Sequence, residues 1–195
     1  MIKPIYFYLS NALVRNRVYH YARTLSLVKK GGWVADIAAG YDNFALVLAK
    51  NFSAKALVND ITCKSVAHHA QSSNYEQGIF SSIDGLDFDS NKVDLMICKN
   101  VLHHMDGQAD IVRLLENLKE SSHSIVLIDA EDPSKSVLGK IWNFYYRKFL
   151  LDQGHAFLDF RFFKEIVIST FPGREITFEK IRTLKGNFMM AIIES

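Results

Sequence analysis

The chain of 195 residues contains few cysteines and few prolines. Its two cysteines, Cys63 and Cys98, lie far apart with no second pair nearby. This spacing excludes a disulfide framework and a cysteine-based zinc site. We therefore expect both cysteines to be packing residues, and no metal is predicted.

Long hydrophobic runs are also absent, since no uninterrupted apolar stretch approaches the ~18 residues that a transmembrane helix needs. The N-terminus lacks the apolar segment and small-residue cleavage site of a secretion signal. The default expectation is a cytoplasmic location. With 49% hydrophobic and 23% charged residues, we expect residues 1–195 to form a single domain with an ample core.

The first 35 residues contain no acidic side chain but six lysines and arginines, so this arm carries +6 while the remainder carries −4 (17 basic against 21 acidic). Apolar residues recur in it at helical spacing, which predicts a basic N-terminal cap helix region over residues 1–30. Such an arm attracts anionic neighbours. A weaker hypothesis is contact with a membrane surface or a polyanion.

Residues 34–48 have the pattern of a strand, a tight turn and a helix, with Asp42 and Asn43 as N-cap residue types. The turn residues Ala38, Ala39 and Gly40 are small. The pattern predicts unpaired backbone N–H groups at a helix N-terminus, where a small polar molecule can approach. Neither a phosphate-binding loop nor a dinucleotide fingerprint is present.

This stretch resembles the first motif of the class I S-adenosylmethionine-dependent methyltransferases, in which alternating glycines follow an acidic residue. Asp36 and Gly40 match the motif, whereas Ala38 and Asp42 depart from it. The resemblance implies S-adenosyl-L-methionine as the cofactor, held by Asp36, Ala38, Gly40 and Asn43. We interpret Asp42 as the helix N-cap, the alternative being a charge that repels the cofactor's carboxylate.

Two further strand ends complete the implied cofactor site. Asp60 ends the predicted strand 55–60, and a carboxylate there can accept both ribose hydroxyl groups. Ile61 can then lie against the adenine. The family's adenine-binding position aligns with Ser82, so the resemblance implies Ser82 and Ile83 at the adenine.

Residues 100–104, Asn-Val-Leu-His-His, resemble the loop after strand four in many small-molecule methyltransferases. The resemblance implies that Asn100 lies beside the cofactor and that this loop faces the acceptor. Enzymes that methylate nucleic-acid bases instead carry a proline pair here, and this chain has no proline between Pro4 and Pro133. Nucleic acid is therefore not the expected acceptor.

Three histidines are candidates for a catalytic base, because a neutral imidazole near pH 7 can accept a proton. They are His103 and His104 in this loop, and His155 further along the chain. We favour His104, since Leu102 and His103 continue the apolar turn while His104 begins its exposed side. In the alternative interpretation the histidines only shape the pocket.

Strands alternate with helices along the chain, which predicts a doubly wound, mostly parallel Rossmann-like sheet of about seven strands. Residues 174–183 and 187–193 are predicted to end it as an antiparallel β-hairpin. Residues 133–170, rich in aromatic and basic side chains, are predicted to be an acceptor or lid insertion. They suggest an apolar or aromatic acceptor, with an anionic group as a further option.

The leading hypothesis is methyl transfer to a small-molecule acceptor by in-line displacement. The alternative is a non-catalytic protein of the same fold that acts as a binding partner, because Ala38, Asp42 and Ser82 depart from the family pattern.

Overall fold

The computed structural model describes residues 5–40, 44–61, 75–80, 93–121, 124–150, 154 and 156–194. The strands among these residues are β1 (Trp33–Ile37), β2 (Lys55–Asp60), β3 (Tyr75–Phe80), β4 (Leu95–Lys99), β5 (Ser124–Ala130), β6 (Ile176–Thr183) and β7 (Gly186–Ile193). The helices are α1 (Ile5–Thr24), α2 (Phe44–Asn51), α3 (Gln108–Ser121), α4 (Val137–Tyr145) and α5 (Phe160–Thr170). A helix predicted over residues 62–73 lies outside the described residues.

The seven described strands form one sheet in the order β3-β2-β1-β4-β5-β7-β6. Strands β1 to β5 are parallel, and β7 runs antiparallel between β5 and β6. The chain reverses its direction of winding between β3 and β4, so β1 and β4 are neighbours and a crevice opens beyond their carboxyl ends. This arrangement confirms the predicted doubly wound sheet with a C-terminal hairpin.

Each face of the sheet carries its own apolar core because the central strands are buried on both sides. Helices α1 and α2 cover one face, where Val34 of β1 packs. Helices α3 and α5 cover the other face, where Ala35 packs. Successive residues of β1 thus enter opposite cores, as the two-residue period of a strand requires.

Helix α1 lies across the first of these cores. Its buried apolar residues include Val14, Val18 and Ala22. On its polar side, Arg17 pairs with Glu179 of β6 at 3.3 Å. No helix in the described part of the chain is long and apolar enough to cross a membrane.

The aromatic segment 133–170 divides into two parts in the structure. In α5, Phe163 and Val167 are buried in the core beside α3. Helix α4 instead lies against the tip of the β6–β7 hairpin, where a Cβ built on Gly186 would be 3.0 Å from the Cα of Gly139. Gly186 therefore requires glycine for this close approach. Gly139 requires it for another reason, since a Cβ there would be 2.8 Å from the Pro133 carbonyl oxygen and from Ser136 Oγ.

Candidate active site

A cavity of about 690 Å³ opens at the carboxyl ends of the parallel strands. Its walls come from residues 38–40 after β1, residues 99–105 after β4, residues 130–131 after β5, and helix α4. The volume lies within the usual range of small-molecule sites, about 300 to 1,000 Å³. Of the predicted site residues that the structure describes, all but Asp60 line this cavity: Asp36, Ala38, Gly40, Ile61, Asn100, His103 and His104.

The turn after β1 is bonded to the end of β2. The backbone N–H groups of Ala38 and Ala39 donate to the side-chain and backbone oxygens of Asn59 at 3.4 and 3.0 Å. The N–H of Gly40 donates to Asp60 Oδ2 at 2.7 Å. The prediction that the turn leaves its N–H groups unpaired is therefore wrong for these three residues, because the adjacent strand end supplies their acceptors.

The carboxylate of Asp36 is buried at the start of α2 and accepts a hydrogen bond from the N–H of Ala45 at 3.2 Å. A carboxylate at this point satisfies one of the helix's unpaired amides and interacts favourably with its dipole. Asp42 and Asn43 lie outside the described residues, as does the predicted capping by Asp42.

The cavity has open space and an apolar surface at this end. Gly40 belongs to the cavity wall, and a Cβ built on it would meet no atom within 4 Å. Ile61 also lies in this wall and is 68% exposed, which is unusual for a large aliphatic side chain. These features fit a ligand that lies over Gly40 and against Ile61. Ser82 and Ile83 are outside the described residues.

His103 is held by a buried carboxylate on the opposite wall. Its Nδ1 lies 2.5 Å from Asp129 Oδ1, and Asp129 Oδ2 accepts from the N–H of Leu102 at 2.7 Å. The ring of Phe157 stacks on the imidazole, with the centroids 5.2 Å apart and the planes 6° apart. With Asp129 ionised, Nδ1 carries the proton and Nε2 is the basic nitrogen.

His104 follows in the same short 3₁₀ turn and is exposed, as the sequence predicts. Its ring centroid is 4.2 Å from that of His103, and both histidines line the cavity. The carboxylate contact of His103 gives it a fixed ring orientation. His155 lies outside the described residues.

Asn100 precedes this turn in a left-handed conformation with φ of 58°. Asparagine tolerates this conformation better than most residues. Its N–H donates to the carbonyl of Ile128 at 2.8 Å, and the residue lines the cavity.

Cys98 of β4 is buried. Burial, together with the nearby carboxylates of Asp129 and Asp36, raises the pKa of its thiol. The thiol is therefore neutral, in keeping with the packing role predicted for it.

The sequence motifs do not identify several polar residues of this site. Asp129 is the penultimate residue of β5, and its position near the carboxyl end of that strand, beside the histidine loop, is a usable signal. Glu131 accepts from Lys180 Nζ at 2.5 Å and from Asn187 Nδ2 at 2.7 Å. Asn11 of α1 also reaches the cavity wall, and its buried Oδ1 has no hydrogen-bond partner within the part of the chain that the structure describes. No sequence signal connects these long-range partners.

Among the described residues, no group of three or more histidine, cysteine, aspartate or glutamate side chains is arranged to hold a metal ion.

Comparison with protein families gives one match, in which residues 35–123 fit the family model described as "Methyltransferase domain". The matched stretch begins in β1 and continues through the histidine loop and α3. No curated protein sequence matches the chain.

Several solved structures are similar in fold. A plantazolicin methyltransferase, BpumL, in complex with a triazolic desmethylPZN analogue and SAH, has a TM-score of 0.73 at 14% identity, covering 95% of this chain and 85% of that one. Magnesium protoporphyrin IX methyltransferase (ChlM) from Synechocystis PCC 6803, with bound SAM, has a TM-score of 0.66 at 14% identity, covering 93% of this chain and 78% of that one. A SAM-dependent methyltransferase from Aquifex aeolicus has a TM-score of 0.64 at 15% identity, covering 93% of this chain and 89% of that one. Residues 35–123 thus match the methyltransferase-domain model, and the chain has the fold of the class I S-adenosylmethionine-dependent methyltransferases.

Proposed function

We propose that this protein transfers a methyl group from S-adenosyl-L-methionine to a small-molecule acceptor. The observation that carries this proposal is a single cavity that joins the turn at Gly40 to the His103–Asp129 pair. One end of the cavity carries the family's first motif, and the other carries a base with a fixed orientation. The methyltransferase folds of the similar structures support the same function.

The cofactor end consists of Gly40, Asp60, Ile61 and Asn100. When bound, S-adenosylmethionine supplies an activated methyl group on a sulfonium. Gly40 and Ile61 offer the open and apolar surface described above. Asp60 Oδ2 already accepts from Gly40, but each carboxylate oxygen has two lone pairs and can accept a ribose hydroxyl as well.

The chain's own residues then align the acceptor and remove its proton. Holding two reactants in line can lower the activation barrier of a reaction of this kind by about 7 to 11 kcal/mol. If the nucleophilic atom arrives protonated, its proton passes to Nε2 of His103 while Asp129 stabilises the imidazolium. His104, exposed in the same turn, is the alternative base.

The acceptor end favours a planar or apolar molecule. Its walls include the aromatic side chains of Trp142, Tyr146, Phe157 and Phe188. We propose a small organic acceptor rather than a nucleic acid, in line with the protoporphyrin and plantazolicin substrates for which ChlM and BpumL are named. A vesicle-binding assay tests whether the basic arm contacts a membrane surface.

Calorimetry with S-adenosylhomocysteine tests the cofactor site directly. We expect micromolar affinity, about −8 kcal/mol. Asp60→Ala should weaken binding by about 1 to 3 kcal/mol because the ribose hydroxyls lose an acceptor. Glu175→Gln, an exposed carboxylate at the start of the hairpin, is the matched control and should leave the affinity unchanged. If the unmutated protein binds no cofactor at millimolar concentration, the enzyme proposal is lost and the non-catalytic binding protein takes its place.

A further inference from the structure

Helix α4 exposes an apolar side to solvent. Four of its large apolar side chains are from 47% to 74% exposed, namely Val137, Leu138, Ile141 and Phe144. Val137, Ile141 and Phe144 lie within about 60° of one another around the helix axis, so these three form a continuous apolar ridge. Large exposed apolar side chains that cluster in this way mark an interaction surface, whereas scattered ones do not.

The fold directs this ridge away from the sheet. Ser136 caps the helix, since its Oγ accepts from the N–H of Gly139 at 2.9 Å. The other side of α4 lies against the β6–β7 hairpin through Gly139 and Gly186, and it carries Trp142 and Asn143 in the cavity wall. Because these contacts occupy one side of the helix, the apolar ridge on the opposite side faces outward.

The charges along this segment are of one sign. Residues 133–150 contain no acidic side chain and four basic ones, Lys135, Lys140, Arg147 and Lys148. Lys135 pairs with Asp159 at 3.8 Å. Lys140, Arg147 and Lys148 are exposed on α4 or directly after it. The apolar ridge therefore has a basic border.

This combination favours an anionic lipid surface over a second copy of the chain. In a symmetric dimer the two ridges would meet face to face, which brings the basic side chains of both copies together. Anionic headgroups instead supply the opposite charge, while apolar side chains insert at the boundary between headgroups and acyl chains. The Nζ of Lys148 lies 5.9 Å from the ring centroid of Phe144, so the lysine stem can follow the ridge while its ammonium reaches a headgroup.

We infer that the apolar ridge of α4, with its basic border, is a docking surface for an anionic lipid bilayer. The helix lies in the plane of the interface and does not cross the membrane. Because the other side of the same helix lines the cavity, docking places the cavity wall beside the membrane surface. This surface is separate from the basic arm of residues 1–35, and the inference goes beyond the proposed function.

Co-sedimentation of the whole chain with unilamellar vesicles tests this surface. Vesicles of equimolar phosphatidylglycerol and phosphatidylcholine are compared with vesicles of phosphatidylcholine alone. We expect the protein to bind the anionic vesicles at least about tenfold more tightly than the neutral ones. Added salt should weaken the binding, because it screens the attraction between the basic border and the headgroups.

The double variant Ile141→Ser with Phe144→Ser tests the apolar ridge. It should weaken binding to the anionic vesicles by about tenfold or more, because two inserted apolar side chains are lost. Leu13→Ser with Ile168→Ser is the matched control, since both side chains are exposed on other helices, α1 and α5. This control should bind as tightly as the unmutated protein.

A second pair of variants tests the basic border. Lys140→Gln with Lys148→Gln should weaken binding to the anionic vesicles and reduce its dependence on salt. Lys50→Gln with Lys119→Gln is the control, because these lysines are exposed on α2 and α3. It changes the net charge by the same amount and should leave the binding unchanged.

Absence of binding to anionic vesicles by the unmutated protein would overturn the inference, as would equal losses in the ridge variant and its control. Self-association that the ridge variant abolishes, measured by ultracentrifugation without vesicles, would assign the ridge to a second copy instead. If the double variant does not fold, Phe144→Ser compared with Ile168→Ser provides the same test. Calorimetry with S-adenosylhomocysteine on the same samples is a separate readout, so failure of cofactor binding counts only against the proposed function.

Discussion

At the scale of single residues, the contact between His103 and Asp129 determines which nitrogen of the imidazole can act as a base. Nδ1 lies against the carboxylate, and Phe157 restricts rotation of the ring. His104, in the same turn, is the more exposed of the two. The fixed orientation and basic Nε2 of His103 favour it as the base over His104, the histidine that the sequence pattern favours.

A single-turnover comparison across pH should separate the histidines once an acceptor is known. We expect His103→Ala to slow methyl transfer by about 100-fold or more and to remove the acidic limb near pH 6 to 7. Asp129→Asn should also reduce the rate, because it favours the wrong tautomer. Wild-type rates and pH profiles in His103→Ala, together with a loss in His104→Ala, would reverse this assignment.

Ala38 stands where the family motif has glycine, and its φ of 52° places it in the left-handed region. This conformation costs an L-residue about 1 to 2 kcal/mol, and replacement by glycine would remove that strain. Glycine has more conformational entropy to lose on folding, which cancels about 0.5 to 1 kcal/mol of the gain. Ala38→Gly should therefore raise the free energy of unfolding by up to about 1 kcal/mol in urea denaturation. Ala39→Gly is the control, since Ala39 has no positive φ, and it should destabilise the protein.

At the scale of elements, a carboxylate fixes the turn that leads into β1. Asp94 Oδ2 accepts from the N–H groups of Trp33 at 3.1 Å and Lys29 at 3.4 Å. A Cβ on Gly32 would overlap this oxygen. The turn therefore requires glycine at position 32, although the φ of this residue is not positive.

Gly32→Ala should lower the free energy of unfolding by about 1 to 3 kcal/mol, because the added methyl displaces Asp94 from its hydrogen bonds. Gly107→Ala is the matched control, since a Cβ there meets no atom within 4 Å. The double variant Gly32→Ala with Asp94→Ala should be less destabilised than the sum of the two single variants. Simple additivity would contradict the proposed clash.

Helix α5 begins at a charged cap that makes its stability depend on pH. Asp159 Oδ1 accepts from the N–H of Phe162 at 2.9 Å, and this bond, with the nearby Lys135, lowers the pKa of the carboxyl group below its ordinary value. The stabilisation is present above the unfolded-state pKa of about 4 and is lost as pH falls through the folded-state pKa. Melting temperatures between about pH 2 and 6 should therefore show a weaker acid dependence in Asp159→Asn than in the unmutated protein. Identical acid dependence in both would contradict a titrating cap.

At the scale of the whole molecule, the cavity walls come from α1, the sheet and α4, so ligand binding should stabilise the folded chain. At a concentration of 100 times its dissociation constant, S-adenosylhomocysteine should raise the free energy of unfolding by about 2.7 kcal/mol. For a domain of this size that corresponds to a rise of about 5 to 10 °C in melting temperature. Asp60→Ala should show a smaller rise at the same ligand concentration. An unchanged melting temperature at millimolar ligand would contradict a cofactor site in the folded protein.

Much of the fold could be predicted from local patterns, since strand and helix periods are written in neighbouring residues. The predicted strand 55–60 coincides with β2, and the predicted hairpin coincides closely with β6 and β7. The candidate site was located in the same way, because parallel strands place their carboxyl ends at one edge.

By itself, the sequence determined the parallel sheet, the hairpin and the family motif around Asp36 and Gly40, all of which depend on residues close together in the chain. Only the tertiary structure decided that Asp60, at the end of β2, accepts from the turn amide of Gly40, and that Asp129 contacts the imidazole of His103. It also decided that Lys185 is buried at the tip of the hairpin. These contacts join residues 20 or more positions apart, or depend on the packing of α4 against the hairpin. Local propensity contains no information about such partners, because their hydrogen bonds and burial exist only after the strands and helices have packed.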